Sequence, residues 1–254
     1  MLTTADTAYA IAHMRADEAR RPFAERLFED PYASLFADAG QHAMEGTRRF
    51  LDLPFFLEGV RLRTRAYDDL VRERLAAGVT QVVLLGAGFD ARGLRLPEVP
   101  AHEARVYEVD FPEQLENKRR ILARAGVALP PWIAHVACDL AAPGFAARLS
   151  AGLEASGFRL GGSACVVMEG VAAYLDRAAL DENLGFVARA GGGGSTVGFE
   201  LVQGFFDEGA RDARVHGLGF TRWEEIGLDT LWRRHLPGEP HPNAAFCKIG
   251  FATV

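Results

Sequence analysis

From residue 81 onward, short apolar runs alternate with amphipathic segments, and this alternation limits the available folds more than any other feature of the chain. Gln81 to Leu85 is β-branched and leucine-rich and stops at Gly86. Arg105 to Val109, Trp132 to Val136, Ala164 to Met168 and Thr196 to Glu200 repeat the pattern, and Ala245 to Val254 reads as one or two further strands. Between them, roughly Pro112 to Ala125, Phe145 to Ala155 and Arg177 to Ala190 carry helical periodicity. Strands that alternate with helices build right-handed βαβ units around a parallel sheet. Several runs are apolar nearly throughout, as expected when both faces of a sheet are covered. The prediction is an α/β fold with a mostly parallel central sheet. Residues Gly191 to Gly194 read as a helix-to-strand turn.

Residues 3 to about 77 read as helices. Ala8, Ile11, Ala12 and Ala19 recur at helical spacing. Asp30-Pro31 marks a helix start, because Pro is tolerated in a first turn and Asp can cap it. Val60, Tyr67, Leu70, Val71 and Leu75 form the apolar stripe of a helix that Gly78 ends. Residues 1–77 are expected to form a helical cap, and residues 78–254 a ligand-binding core in the same domain. Phe50, Phe55, Phe56, Phe205 and Phe206 read as core residues, a few of them alternatively as the lining of an apolar acceptor pocket. A chain of 254 residues, 49% hydrophobic, is long enough to bury such a core.

Charge and cysteine content exclude several classes. The net charge is −6 and no basic tract offsets it, which argues against general nucleic-acid binding. No window approaches the ~18–20 apolar residues of a membrane span. Cys138, Cys165 and Cys247 are odd in number, far apart and flanked by apolar residues, the pattern of reduced core thiols. A soluble cytoplasmic protein is expected. The histidines lack metal-ligand spacing, so no metal site is predicted.

In open parallel sheets, ligands bind beyond the carboxyl ends of the strands. The first strand is followed by Gly86-Ala87-Gly88-Phe89-Asp90-Ala91, the second by Asp110-Phe111, the third by Cys138-Asp139-Leu140 and the fourth by Glu169-Gly170. The first turn satisfies the dinucleotide fingerprint G-x-G-x-x-G/A, so a nicotinamide dinucleotide enters the comparison. The glycines let a backbone approach a ligand closely. Asp90 within the turn opposes a pyrophosphate, which seeks bare N–H groups at a helix N-terminus. It suits a cofactor that lacks phosphate and carries an ammonium and a sulfonium, namely S-adenosylmethionine, with S-adenosylhomocysteine as product. Capping of the following helix explains Asp90 equally well. Asp110 can accept from both ribose hydroxyls, and Asp139 from an adenine amino group.

VVLLGAGFDARGLRLP, VYEVDFPEQLENKRRIL, VACDL and VVMEGVAAYLD, with RTRAYDD and RRPFAERLFEDPYA upstream, resemble in order and spacing the leucine carboxyl methyltransferase-like family. This is a group of class I S-adenosylmethionine-dependent O-methyltransferases with a Rossmann-like core, including a bacterial branch acting on polyketides and other small molecules. The resemblance implies that Arg65 pairs with the donor's methionine carboxylate and that Arg21 lies near it. It places Gly86, Ala87, Gly88 and Asp90 along the donor, Asp110 and Phe111 at the ribose, and Cys138, Asp139 and Leu140 at the adenine. Glu169 and Gly170 fall at the methionine end, and Tyr174 at the mouth of the acceptor site. Without the resemblance, Arg65 and Asp69 read equally as an exposed i,i+4 ion pair. His216 and His241 are candidate bases for a hydroxyl acceptor; a carboxylate acceptor needs none. The expectation is methyl transfer to a carboxylate or acidic hydroxyl of a small molecule. The alternatives are a protein C-terminal carboxyl methyltransferase, an NAD-dependent oxidoreductase and a catalytically silent binding module.

Overall fold

The structure, a computed structural model, describes residues 4–43, 53–201 and 209–254. Its centre is a seven-stranded sheet: β1 (Gln81–Leu85), β2 (Arg105–Asp110), β3 (Ile133–Ala137), β4 (Cys165–Met168), β5 (Thr196–Leu201), β6 (Arg222–Gly227) and β7 (Lys248–Thr253). The strand order is β3-β2-β1-β4-β5-β7-β6. β1 to β5 pair in parallel, and β7 runs antiparallel between β5 and β6. After β3 the chain crosses back to lay β4 beside β1, which creates a topological switch point at the carboxyl ends of β1 and β4.

Period-two alternation assigns each strand residue to a face. Val83 and Leu85 of β1 share a buried cluster with Leu149 and Leu153 of helix Phe145–Ala155 and with Leu180 and Leu184 of helix Arg177–Ala190. Val82 and Leu84 point the other way, into a cluster with Leu62, Tyr67, Val71 and Leu75 of helix Phe56–Ala76. That helix therefore covers one face of the sheet. Helix Thr4–Glu18 lies at the strand ends, where Tyr9 stacks near Phe89 at 4.8 Å.

Predicted and observed elements agree over β1 to β5 and the three intervening helices, within one or two residues at their ends. Gly194 turns with φ +82° and Gly78 with φ +88°, as the glycine turns required. Asp30 Oδ1 accepts from the N–H groups of Tyr32 (3.2 Å) and Ala33 (3.1 Å), fixing the start of helix Ala33–Ala39. Ala19 lies just past the end of helix Thr4–Glu18. β6 was not predicted. It is an edge strand whose Glu224 and Glu225 are exposed, so it lacks the apolar run that marked the others. Phe55 and Phe56 are half-buried, while Phe50, Phe205 and Phe206 lie outside the described residues. No described helix is long and apolar enough to cross a membrane.

Candidate active site

The carboxyl ends of β1 to β5 open on a cleft of about 970 Å³. Such a volume is near the top of the range for small-molecule pockets, roughly 300–1,000 Å³. Gly86, Ala87, Gly88, Asp90, Asp110, Phe111, Cys138, Asp139, Leu140, Glu169, Gly170 and Tyr174 all line it. Ala8, Ile11 and Ala12 of helix Thr4–Glu18 form an apolar wall across from them.

The glycine turn after β1 is held from below. Gly86 has φ +67° and Gly88 φ +48°, and a Cβ at Gly86 would overlap Val171 Cγ2. Asp110 Oδ2 accepts the Gly88 N–H at 2.6 Å and its Oδ1 accepts the Phe111 N–H at 2.7 Å. Each carboxylate oxygen keeps a second lone pair for a ligand hydroxyl. Burial outweighs these two bonds and raises the Asp110 pKa above the ordinary carboxylate range. The Ala87 N–H bonds to Val109 O and the Asp90 N–H to Ala87 O. The following helix, Arg92–Arg95, is a single turn. The Ala87 and Gly88 N–H groups are thus spent on β2 and the Asp90 N–H on the turn itself, and no long helix dipole follows, an arrangement unsuited to a pyrophosphate.

The charge of Asp90, expected to oppose a pyrophosphate, does not do so. Its Oδ1 accepts the Arg92 N–H at 2.7 Å and its Oδ2 pairs with Arg92 Nη1. The carboxylate is neutralised in place, and although burial opposes ionisation, Arg92 and Arg15 drive its pKa far below the usual value. Asp139 Oδ1 accepts the Ala141 N–H at 2.9 Å.

Beneath the methionine end predicted for the donor lies a continuous buried ion-pair network. Arg92 Nη2 meets Glu169 Oε2 at 2.8 Å, and Arg92 Nε meets Asp68 Oδ1 at 2.8 Å. Arg95 joins Asp68 (2.6 Å) to Asp30 (3.8 Å), which also pairs with Arg15. Arg63 Nε lies 3.2 Å from Glu169 Oε1 and 3.8 Å from Glu200 Oε1. Thr64 Oγ1 donates to Glu169 Oε1 at 3.0 Å. Burial raises the cost of ionised Glu169, yet Arg92 and Arg63 hold its pKa below the ordinary value. The carboxylate after CVVM is therefore affordable because guanidiniums meet both of its oxygens.

Four sequence candidates fall elsewhere. Arg65 forks onto Asp69 (2.7 and 2.9 Å) and Leu27 O, outside the cleft lining. Two residues along a helix is a rotation of about 200°, so Arg63 and Arg65 face opposite ways, and Arg63 is the one in the cleft. Its place on the face of Tyr67, four residues on, was the available signal. Arg21 sits 3.4 Å from Glu18 Oε2, away from the cleft. His216 bonds to Asp212 O (2.7 Å) and Thr221 O (3.2 Å). His241 accepts the Asn243 N–H at 3.2 Å and stacks on Phe55 at 4.6 Å. Both imidazoles are engaged outside the cleft. Arg15, Arg63 and Glu200, which sequence reasoning did not select, line it.

The sheet order, the switch-point cleft and the acid at the end of β2 define a class I S-adenosylmethionine-dependent methyltransferase. The residues present fit the donor: Gly88 leaves an open position where a Cβ would stand, 3.7 Å from Ala8 Cβ, and Asp110 retains acceptor capacity beside it. The leucine carboxyl methyltransferase family model matches residues 8–188, and the chain belongs to that family. A protein of Parafrankia sp. named for S-adenosyl-L-methionine-dependent methyl transfer is 35% identical over 240 residues, 91% of this chain and 72% of that one. A similarly named protein of Frankia alni is 37% identical over 199 residues, covering 76% and 67%. A solved methyltransferase-like structure from Thermobifida fusca superposes with a TM-score of 0.60 at 19% identity, covering 82% of this chain and 88% of that one.

Proposed function

We propose that the protein transfers a methyl group from S-adenosylmethionine to an oxygen of a small molecule, such as a polyketide or similar secondary metabolite, in the cytoplasm. The supporting observation is the single cleft that continues from the donor-side residues Gly86 to Asp110 past Glu169 to Tyr174 and Glu200. Helix Thr4–Glu18 lines the donor side of the cleft with Ala8, Ile11 and Ala12, which screens part of it from solvent. A cleft of about 970 Å³ suits a small acceptor beside the donor. The free thiols Cys138, Cys165 and Cys247 suit a reducing compartment.

When bound, the donor supplies an electrophilic methyl group, and the protein's work is positioning and exclusion of water. Asp110 takes the ribose hydroxyls, Asp139 the adenine amino group and Arg63 the carboxylate end. Glu169 keeps Arg63 and Arg92 in place. Tyr174, half exposed at the rim, contacts the acceptor. Incubation with methyl-labelled donor and a panel of carboxylic acids, phenols and alcohols tests the reading. Label in an ester or ether supports it, and S-adenosylhomocysteine binding with no transfer to any member would favour a silent binding module.

A further inference from the structure

The ion-pair network described above contains four guanidiniums (Arg15, Arg63, Arg92, Arg95) and five carboxylates, so it carries one uncompensated negative charge. Glu200 is the member least provided for. Its Oε2 accepts the Gly170 N–H at 2.9 Å, which fixes the side chain. Its Oε1 is buried and accepts no hydrogen bond among the described residues; its nearest cation is Arg63 at 3.8 Å. By contrast, both oxygens of Glu169 are engaged.

Position separates the two acids further. The sheet order runs β3, β2, β1, β4, β5, so the donor-side residues on β3, β2 and β1 and Glu169 after β4 leave β5 as the far end of the cleft. Four strand spacings of about 4.8 Å put that end roughly 19 Å from β3. Glu200 lies on β5 and lines the cleft.

Resting on the methyl-donor reading above, we infer that Glu200 is the catalytic base that takes the proton of a neutral hydroxyl acceptor, an alcohol or phenol. Charge balance selects the hydroxyl over a carboxylate. The donor brings one net positive charge, from its sulfonium, ammonium and carboxylate, and so neutralises the network. A carboxylate acceptor would leave one negative charge unbalanced before and after transfer. A hydroxyl adds no charge to a cleft that Asp110 and Asp139 make more negative still: its O–H proton passes to the Glu200 carboxylate as oxygen bonds the methyl carbon, and the carbon–sulfur pair stays on sulfur. The positive charge lost at sulfur is matched by the proton gained at Glu200. The groups facing Glu200 suit a base: Arg63 and Tyr67 on helix Phe56–Ala76, Glu169 after β4, and apolar Ile249 beside it on β7. Burial, reinforced by Glu169 against the pull of Arg63, raises the Glu200 pKa and strengthens it as a proton acceptor.

The test uses the full-length protein, its Glu200→Gln and Glu200→Asp variants, labelled S-adenosylmethionine, a series of phenols of graded acidity, alcohols and carboxylic acids. Wild-type should methylate hydroxyls. Glu200→Gln should lose about 10²–10³-fold in kcat/KM at neutral pH. That loss should shrink as the phenol becomes more acidic and vanish for one already ionised. Glu200→Asp should recover part of the rate. S-adenosylhomocysteine affinity, by calorimetry, should match wild type within about twofold in both variants. A uniform loss across the phenols, a loss under threefold, or transfer confined to carboxylic acids or absent from every hydroxyl would overturn the assignment. Donor binding lost only in Glu200→Gln would make Glu200 a donor ligand and likewise overturn it. A wild-type protein that binds no S-adenosylhomocysteine would instead refute the methyl-donor reading beneath it.

Discussion

Replacing Asp110 by Asn separates donor recognition from folding. In the native protein the two carboxylate oxygens accept Gly88 N–H (2.6 Å) and Phe111 N–H (2.7 Å), leaving one lone pair on each for the ribose. An Asn presents one oxygen and one NH2, so one hydroxyl loses its acceptor. Hydrogen bonds to charged groups contribute about 1.5–3 kcal/mol, so the dissociation constant for S-adenosylhomocysteine should rise roughly 10- to 150-fold. Stability should move little. The Asp110 pKa is raised, which means that its ionised form costs the folded protein something at neutral pH, and Asn removes that cost while opposing one backbone N–H. Calorimetry gives the affinity and thermal unfolding the stability. A donor analogue lacking both ribose hydroxyls should bind wild type and variant alike. Unchanged affinity for S-adenosylhomocysteine, or an equal loss for the analogue, would refute ribose recognition by Asp110.

Other substitutions probe the corrected assignments. Arg65→Ala removes an exposed ion pair worth roughly 0–1 kcal/mol, so donor affinity and melting temperature should both stay close to wild type; a tenfold loss of affinity would restore Arg65 to the site. Gly86→Ala places a Cβ against Val171 in a backbone with φ +67°, and should cost about 1–3 kcal/mol in unfolding free energy while abolishing donor binding. Asp68, Asp90 and Glu169 each have a folded pKa below the unfolded one. Their stabilisation is complete above about pH 5 and is lost progressively as pH falls through the unfolded and then the folded pKa values. Acid titration of unfolding should therefore show a steep loss below about pH 4. Asp68→Asn should flatten that limb while destabilising the protein at neutral pH by about 3–5 kcal/mol, because it removes the buried carboxylate that Arg92 and Arg95 share.

The residues that were legible in the sequence share a property: their role is written in local pattern. β1 and β4 are apolar runs because both faces are covered, and the glycine turn and Glu169 follow them directly. Gly86 and Glu169 could be placed from that alone. What was hidden depends on which way a side chain turns or on partners distant in the chain. Arg63 and Arg65 are indistinguishable by composition, and the helical rotation between them decides which reaches the cleft. Asp90 read as a repelling charge because Arg92, fully buried beside it, looks like a surface residue in sequence. Glu200 carried no motif; its significance arises from the orphaned oxygen and from the order of strands. β6 escaped because an edge strand with one solvated side shows little apolar alternation.

The central claim is that the cleft at the ends of β1 to β5 holds S-adenosylmethionine and not a dinucleotide. Isothermal titration of the purified protein with S-adenosylhomocysteine and, separately, with NADH tests it most directly. Saturable one-to-one binding of S-adenosylhomocysteine, weakened by Asp110→Asn and untouched by Arg65→Ala, with no heat from NADH, is the predicted result. Binding of NADH without binding of S-adenosylhomocysteine would contradict it.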